Sequence, residues 1–405
     1  MKNINIRTAT FFSKRDNDEG MKSFIDATKY LEEKYLIRTK RVATKLKVYS
    51  EEEIVTFSEK IKQIGYWGFS TSFSNAMDPK SVEDARKVIS QTENGFVNFN
   101  ITNKKEVLDS NSIFPSTDLI LDISKRKEGF DNFRLGFSFG LENETPFFPY
   151  AAFKGREGFA IGLEYINLML EVIEQNKRKS LYDIKKELIR EMIRNFEEIN
   201  ELCSKMAEKT GLEFFGMDLS VAPYPYPLEN QSVIELLEVL GNIGKSRGDS
   251  EFHAGMNGTI FLHTYITSII KEVIKHSELR VTGFNGIMYS VLEDSRLSKR
   301  YANGEIGVSD LLLTSTTCGC GIDMLPITGW EIRKSLSSLF FDLYALSFTL
   351  AKPLSLRVLP IPNSREGDYT KFRHLFFSNT RLKEDKTGIS INSLPSQKDN
   401  SIIEL

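Results

Sequence analysis

The first 73 residues alternate between strand-like and helix-like segments, and this alternation constrains the fold more than any other feature of the sequence. Residues 4–6 alternate between apolar and polar side chains, as strands do, whereas residues 20–35 place apolar side chains at helical spacing. A second strand at 39–43, another helix and a third strand at 66–73 follow. Because a helical crossover returns the chain to run in its original direction, strands joined in this way are parallel. The sequence therefore predicts an α/β fold with a mostly parallel sheet.

Two of the predicted helices have clear boundaries. Ser50 and Glu53 form a capping box, and Gly65 marks the end of that helix. Ser180 and Gly211 bound a long amphipathic helix in the same way. Further strands are predicted at 96–101, 118–123, 133–139, 214–223 and 355–361, and further helices at 81–90, from about 157, and at 232–241, 260–274 and 330–350.

Composition limits the classes of function. The chain has 405 residues, with 53 Lys and Arg against 55 Asp and Glu, and this balance gives no reason to expect a nucleic acid partner. The first ten residues lack the apolar core of a signal peptide, and no run approaches the roughly 18 apolar residues of a membrane span. Three cysteines do not suggest a framework of disulfides. We therefore expect a cytoplasmic protein that acts on small molecules, without a membrane partner.

Residues 281–329 combine many glycines with chemically capable side chains. Cys318 follows Thr317 in a run of small hydroxyl residues and precedes Gly319, which allows a tight turn and close approach to a ligand. A thiol in such a bend is a candidate nucleophile if a cation or exposed amides lower its pKa. The alternatives are a plain bend, a strained redox bridge with Cys320, or two metal ligands. A structural zinc site would need a second cysteine pair, so the main prediction for this site includes no metal.

Several carboxylates and one arginine are candidates for the same site. Glu293 and Asp294 are adjacent before a short helix, where Asp294 suits a cap and Glu293 suits acid–base chemistry. Asp323 follows the cysteine bend. Asp218 lies in an apolar strand, where a carboxylate belongs either to a structural network or to a site. Arg357, on a predicted strand, can hold a carboxylate or phosphate at two points.

Two loops could face an anion. Lys154 is one of two cations that flank a glycine in a Phe- and Gly-rich loop, which is either solvated or ligand-facing. Gly258 and Thr259 belong to a G-x-x-G-T sequence before an apolar helix, and its backbone amides either bind an anionic group or form a plain turn. His253 lies in the same loop and is a weaker candidate for a ligand or base.

Five segments carry a family resemblance. In chain order they read TPFFPYAAFKGREGF, FFGMDLSVAPYPY, GFNGIMYSVLEDSRL, TSTTCGCGIDMLPITG and LRVLPIPNSREGDYTKF. Together they resemble the uncharacterised prokaryotic family of domain of unknown function 711, also described as UPF0210-like. The resemblance implies a distant relation to glycyl radical enzymes of the pyruvate formate-lyase type.

The resemblance implies a fold and partners. It implies a pyruvate formate-lyase-like α/β barrel, here a single domain over residues 1–380 followed by a polar tail at 381–405, with a cysteine loop that projects into the barrel. It also implies a homodimer and an ACT-type regulatory partner protein. Glycyl radical chemistry needs a C-terminal glycine in an Arg-Val-x-Gly-Tyr-like context. Here Arg357 and Val358 are followed by Leu359 and Pro360, and the tail has no glycine in that context, so this chemistry is not expected.

Three functions remain open. The first is an enzyme that acts on a small anionic metabolite at the barrel centre, and the second is a non-catalytic sensor or regulatory partner built on the same fold. The third is a divalent-metal enzyme that uses Asp218, Glu293, Asp294 and Asp323. No motif specifies a cofactor. For the first function the candidate catalytic residues are Cys318, Glu293 and Asp323, and the candidate ligand-binding residues are Asp218, Asn285, Arg357, Thr317, Gly258, Thr259 and Lys154.

Overall fold

The computed structural model describes residues 3–73, 78–101, 110–225, 231–317, 320–329, 332–384 and 388. The strands in these ranges are β1 Asn5–Phe12, β2 Lys40–Ala43, β3 Gly68–Phe73, β4 Gly95–Asn100, β5 Leu135–Phe139, β6 Gly158–Glu164, β7 Glu213–Asp218, β8 Gly321–Thr328, β9 Leu354–Pro360 and β10 Lys383–Glu384. The helices are α1 Asp18–Glu32, α2 Glu51–Ile64, α3 Pro79–Gln91, α4 Ser110–Ser124, α5 Ile166–Asn176, α6 Leu181–Thr210, α7 Val233–Gly241, α8 Thr259–Lys275, α9 Ser295–Ala302, α10 Val308–Ser315 and α11 Ile332–Leu350, with a 3-10 segment at Lys127–Arg134.

The described strands form one ten-stranded sheet with the order β10-β8-β9-β5-β4-β3-β2-β1-β6-β7. Strands β1 to β5 are parallel to one another, and each of the pairs β6–β7, β8–β9 and β8–β10 is also parallel. Antiparallel pairing occurs where β1 meets β6 and where β5 meets β9. The predicted mixed α/β fold with a mostly parallel sheet is therefore confirmed.

The two faces of the sheet differ in chemistry. Successive side chains of a strand point to opposite faces, so Val97 and Phe99 of β4 join the main core whereas Phe96 joins a separate aromatic cluster. On β9, Leu356 and Val358 likewise belong to the main core, to which the helices also contribute. Arg357 lies between these two apolar residues in the strand, so its side chain points to the other face. One face is thus apolar under the helices, and the other carries arginines and aromatic rings.

The predicted helix ends agree with the structure. The side chain of Ser50 accepts a hydrogen bond from the amide of Glu53 at 3.2 Å, and Gly65 ends α2 with a φ of 113°. Ser180 caps α6 in the same way, and Gly211 ends that helix with a φ of 69°. Each side-chain cap satisfies an amide that has no partner inside the helix, and it contributes about 1 kcal/mol.

Two predicted elements were wrong. Residues 118–123, expected as a strand, lie within α4, where Leu119, Ile120 and Ile123 are buried. A short apolar run does not by itself distinguish a strand from a buried helix. The helix expected from about residue 157 is instead β6, which pairs antiparallel with β1, and the helix begins only at Ile166.

Residues 281–290 contact both β7 and β8. Val281 and Ile287 form parallel bridges with Met217 and Val221, at and beyond the end of β7, and Ser290 forms a parallel bridge with Asp323 in β8. The candidate stretch therefore runs between two strands that lie near opposite ends of the sheet order. In the predicted tail, Lys383–Glu384 pairs with β8. None of the described helices is both long and apolar enough to cross a membrane.

Candidate functional site

A cavity of about 40 Å³ lies on the face of the sheet opposite the main core. We call it the inner cavity and define it by its charged lining residues, Arg7, Arg41, Arg357, Glu293 and Asp323. An aromatic wall that includes Trp67, Phe96, Phe133 and Phe148 surrounds these charges. The lining comes from β1, β2, β4, β8 and β9 and from the segments that flank them. The inner cavity thus brings together side chains from distant parts of the chain.

Arg357 holds the two predicted catalytic carboxylates in one network. Its Nε and Nη2 donate to the two carboxylate oxygens of Asp323, each at 2.7 Å, and Nη2 also lies 3.4 Å from Glu293. Nη1 donates to the backbone carbonyl of Phe133 at 3.2 Å, and the hydroxyl of Tyr150 donates to Asp323 at 3.3 Å. The structure therefore places Glu293, Asp323 and Arg357 together, as the sequence analysis expected them to be.

Glu293 connects β9 with β1. Its other oxygen accepts from Nη2 of Arg7 at 3.4 Å, while Nη1 of Arg7 donates to Glu164 at 3.0 Å. Strands β9 and β1 are five steps apart in the sheet order, which in a flat sheet is about 24 Å. Because Arg7 and Arg357 both reach one carboxylate, the sheet curves strongly around the inner cavity.

Arg41 has no carboxylate partner within the described part of the chain. Its Nε donates to the hydroxyl of Thr39 at 2.9 Å, and its guanidinium lies 4.8 Å from the ring centre of Trp67 and 4.9 Å from that of Phe148. The residue is 6% exposed. Burial, followed by repulsion from Arg7, lowers the pKa of Arg41 to about 9. The inner cavity thus contains a desolvated cation that would gain from an anion.

The pKa values of the other charged groups follow from burial and pairing. Burial raises the pKa of the Glu293 carboxyl, and the positive charges of Arg357 and Arg7 oppose that rise. Burial alone would lower the pKa of Arg357, but attraction by Asp323 and Glu293 outweighs it and raises the value. Burial, and then the charge of Asp323, raise the pKa of Tyr150 well above its ordinary range. Burial therefore makes Glu293 easier to protonate than a solvent-exposed glutamate, although its two arginine partners limit that effect.

Asp218 has a structural environment. Its carboxylate accepts hydrogen bonds from the amides of Ser220, Phe284 and Asn285 at 2.9–3.1 Å, and from the hydroxyls of Ser220 and Thr145 at 2.6 and 3.2 Å. Asn285, which has a φ of 51°, in turn accepts from the amide of Leu219 at 2.9 Å. These contacts fix the loop after residue 282 on the end of β7, outside the lining of the inner cavity.

The remaining candidate residues are dispersed. Gly258 and Thr259 begin α8, where the Thr259 hydroxyl donates to the backbone carbonyl of Met256 at 2.7 Å. The hydroxyl of Thr317 lies 2.7 Å from Nδ1 of His263. Lys154 donates to the backbone carbonyls of residues 142 and 143, at the rim of a different cleft. None of these four residues lines the inner cavity as the structure describes it.

Cys318 and Gly319 lie outside the described residues. Cys320 is buried next to Leu141, Tyr150 and Phe284, and its Sγ lies 3.8 Å from the hydroxyl of Ser220. The second thiol is therefore packed behind Tyr150, which lines the inner cavity.

The metal hypothesis required four acidic residues in one place. Asp294 instead caps α9 and also accepts from the amide of Val233 at 2.7 Å, at the beginning of α7. Asp323 is held by Arg357, and Asp218 is held by backbone amides. In the described ranges, no group of three or more His, Cys, Asp or Glu residues has an arrangement suited to a metal ion.

The sequence analysis missed Arg7, Arg41 and Tyr150. A signal was present for Arg41, since it directly precedes the apolar Val42 and Ala43 in a predicted strand, and all three residues are buried in β2. A charged side chain in such a strand must face a partner or a site. Tyr150 lies in the Pro-rich loop, where no periodic pattern indicates which way a side chain points.

Comparison with known proteins then assigns a family. A family model described as uncharacterised ACR (DUF711) matches residues 52–383. The chain belongs to this family. The UPF0210 protein of Sulfurisphaera tokodaii is similar to it, at 24% identity over 407 residues that cover 91% of this chain and 86% of that protein. The UPF0210 protein of a Thermoanaerobacter species is 22% identical over 339 residues, which cover 82% of this chain and 71% of the relative.

A further relative matches over a shorter length. The UPF0210 protein of Pyrobaculum aerophilum is 25% identical over 285 residues, and the match covers 68% of this chain but 58% of that protein. Within this DUF711 chain, Glu293, Asp323 and Arg357 lie inside the matched range, whereas Arg7 and Arg41 precede it. The inner cavity is thus built from the DUF711 segment together with the two strands before it.

Proposed function

We propose that the inner cavity binds the carboxylate group of a small metabolite and that Arg41 is its main contact. The charged groups that line the cavity, together with the groups that form ion pairs with them, supply the decisive observation, because they include one more cation than anion. The cations are Arg7, Arg38, Arg41 and Arg357, and the anions are Glu164, Glu293 and Asp323. A monoanion restores neutrality, and a guanidinium binds a carboxylate at two points.

The size of the cavity limits the ligand. A volume of about 40 Å³ accommodates two or three water molecules, because each needs roughly 10–15 Å³. This space matches one carboxylate group with few further atoms. The aromatic wall lowers the local dielectric constant, which strengthens the attraction between Arg41 and an anion.

We infer that the curved sheet closes into a barrel related to that of pyruvate formate-lyase, with the inner cavity at its centre. The contacts of Arg7 and Arg357 with Glu293 support strong curvature. The bridges of residues 281–290 to β7 and β8 support closure, because this segment spans the gap between those strands. The sheet consists of three groups of parallel strands, namely β10-β8-β9, β5 to β1 and β6-β7. Neighbouring groups meet in antiparallel pairs, and this arrangement also fits the resemblance.

The proposed activity is proton transfer on the bound metabolite without glycyl radical chemistry. Glu293 would be the acid or base, because burial raises its pKa. Asp323 would hold Arg357 in position, and Cys318 remains a proposed nucleophile. Of the three cysteines, Cys203 and Cys320 are buried. If Cys318 is an activated thiol, brief alkylation of the native protein should modify one thiol, and Cys318→Ala should abolish that modification.

Isothermal titration with formate, acetate, glyoxylate and pyruvate tests the binding proposal. We expect Arg41→Met to weaken binding by about tenfold or more, since a charged hydrogen bond contributes about 1.5–3 kcal/mol. Arg156→Met is the matched control, because Arg156 is exposed and pairs with Glu213 on the surface. Absence of carboxylate binding in the parent, or equal losses in both variants, would refute the proposal.

A measurement of turnover distinguishes an enzyme from a non-catalytic sensor. If Glu293→Gln binds the ligand but stops its conversion, the protein is an enzyme. If the parent binds without converting any of the carboxylates, a sensor on an enzyme-like barrel is the better assignment. The homodimer, the ACT-type partner and the cytoplasmic location remain predictions from the sequence, and light scattering of the purified protein tests the first of them.

A further inference from the structure

A second and larger cleft lies at the carboxyl ends of β2, β3, β4 and β5, and we call it the outer cleft. It has a volume of about 750 Å³ and is separate from the inner cavity, although Tyr150 lines both. Its floor contains Ser72, Asn98 and Ser138, each at or near the end of its strand. Ligands of α/β folds bind at the carboxyl ends of parallel strands in both open sheets and barrels, and the volume lies in the range typical of sites for small molecules.

The floor has a polar group that no described residue satisfies. Asn98 is 1% exposed, and its amide nitrogen donates to the hydroxyls of Ser138 at 3.0 Å and Ser72 at 3.4 Å. Its amide oxygen is buried and has no hydrogen-bond partner in the described part of the chain. Hydroxyls both donate and accept, so either orientation of the amide leaves one end without a partner. Such a group requires a partner, and a ligand hydroxyl can serve at either end.

The rim is basic although the whole chain has a net charge of −2. Five lysines line the outer cleft against two aspartates, Asp78 and Asp84. The Asp78 carboxylate caps α3 by accepting from backbone amides of its first turn, and the Asp84 carboxylate lies 3.8 Å from Nζ of Lys87. Lys47 pairs with Asp16. With these groups paired, the rim keeps a positive charge.

Lys45 and Lys80 supply that charge. Both are exposed, and neither forms a salt bridge with a described residue. They come from different elements, since Lys45 follows β2 and Lys80 lies in the first turn of α3. Two exposed ammonium groups from different elements, at the rim of a cleft with a polar floor, supply point charges that suit a phosphate group.

We propose that the outer cleft binds a phosphate ester of a polyhydroxy compound, such as a sugar phosphate. The phosphate contacts Lys45 and Lys80, and a hydroxyl of the same ligand contacts Asn98. This site is distinct from the carboxylate site of the inner cavity, so either proposal can fail without the other.

Calorimetric titration with ribose 5-phosphate, ribose and inorganic phosphate tests this site. We expect ribose 5-phosphate to bind at least about tenfold more tightly than either fragment, because only the ester engages both the rim and the floor. The double variant Lys45→Met/Lys80→Met should lose about tenfold in affinity for the ester and show a weaker dependence on salt. Lys22→Met/Lys271→Met, which changes two exposed lysines outside the cleft, should bind as the parent does.

Further variants locate the ligand. Asn98→Ala should bind ribose 5-phosphate no better than inorganic phosphate, because it keeps the rim and loses the floor contact. Arg41→Met should bind the ester like the parent, which separates this site from the inner cavity. If Asn98→Ala does not fold, the lysine variants still decide the proposal. No binding of the ester by the parent, or equal losses in the two lysine double variants, would overturn it.

Discussion

Arg357 holds Asp323 at two points, with Nε and Nη2 each 2.7 Å from a different carboxylate oxygen. Both side chains are nearly buried, with exposed fractions of 5% and 12%. Removal of Asp323 leaves the buried guanidinium of Arg357 with a single carboxylate contact, the longer one to Glu293 at 3.4 Å, and the loss of one partner from a buried ion pair is strongly destabilising. We therefore expect Asp323→Ala to lower the free energy of unfolding by about 3–5 kcal/mol in urea denaturation.

An exposed pair provides the control for this prediction. Asp118 accepts from Arg333 at 2.7 and 3.0 Å, a similar two-point geometry, but the two side chains are 57% and 41% exposed. We expect Asp118→Ala to cost no more than about 1 kcal/mol. Equal losses in the two variants would show that burial of the Arg357–Asp323 pair does not determine its effect on stability.

Arg41 should destabilise the protein when no anion is bound. Burial and repulsion from Arg7 lower its pKa to about 9, so its charged form is less stable in the folded chain than in the unfolded chain. Methionine fills similar space without charge, so we expect Arg41→Met to raise the free energy of unfolding by about 1–3 kcal/mol. The same variant should lose the thermal stabilisation that acetate gives to the parent at constant ionic strength. A variant less stable than the ligand-free parent would contradict this account.

The sequence was sufficient for the elements that depend on local signals. The capping box at Ser50 and the glycine at 65 are short-range features, and both appear in the structure where they were predicted. Asp294 was predicted as a cap for the same reason. The strand expected at 118–123 failed because burial of an apolar run depends on the helix packing around it, which the run itself does not encode.

The site was harder to predict because its parts are far apart in the sequence. Glu293 and Arg357 were identified by residue type, but their convergence with Arg7 depends on how strongly the sheet curves. Asp218 illustrates the opposite outcome, since loop amides and hydroxyls occupy the carboxylate that looked available. Which buried charge is paired and which is free becomes clear only from three-dimensional contacts.

Asp294 serves two helices at once. It caps α9 through the amides of Arg296 and Leu297, and it also accepts from the amide of Val233 and the hydroxyl of Ser232 at the beginning of α7. We expect Asp294→Ala to cost about 3 kcal/mol or more in urea denaturation, because several buried donors lose their acceptor. Ser180→Ala removes a cap from α6 alone and should cost about 1 kcal/mol. Similar costs for both variants would mean that only one of the two helices depends on Asp294.

His263 should make stability depend on pH in acid. Its Nδ1 lies 2.7 Å from the Thr317 hydroxyl, and its buried Nε2 has no partner among the described residues. Burial, and then repulsion from Lys352, lower its pKa from 6.5 to about 3. Between these values the unfolded chain binds a proton that the folded chain does not, so stability falls as the pH falls from 6.5 towards 3, by about 5 kcal/mol at most. Urea denaturation of His263→Gln across this range should show a shallower fall than the parent. His276→Gln, at an exposed histidine paired with Glu272, should keep the parental slope, and an unchanged slope in His263→Gln would exclude His263 as the source of the acid sensitivity.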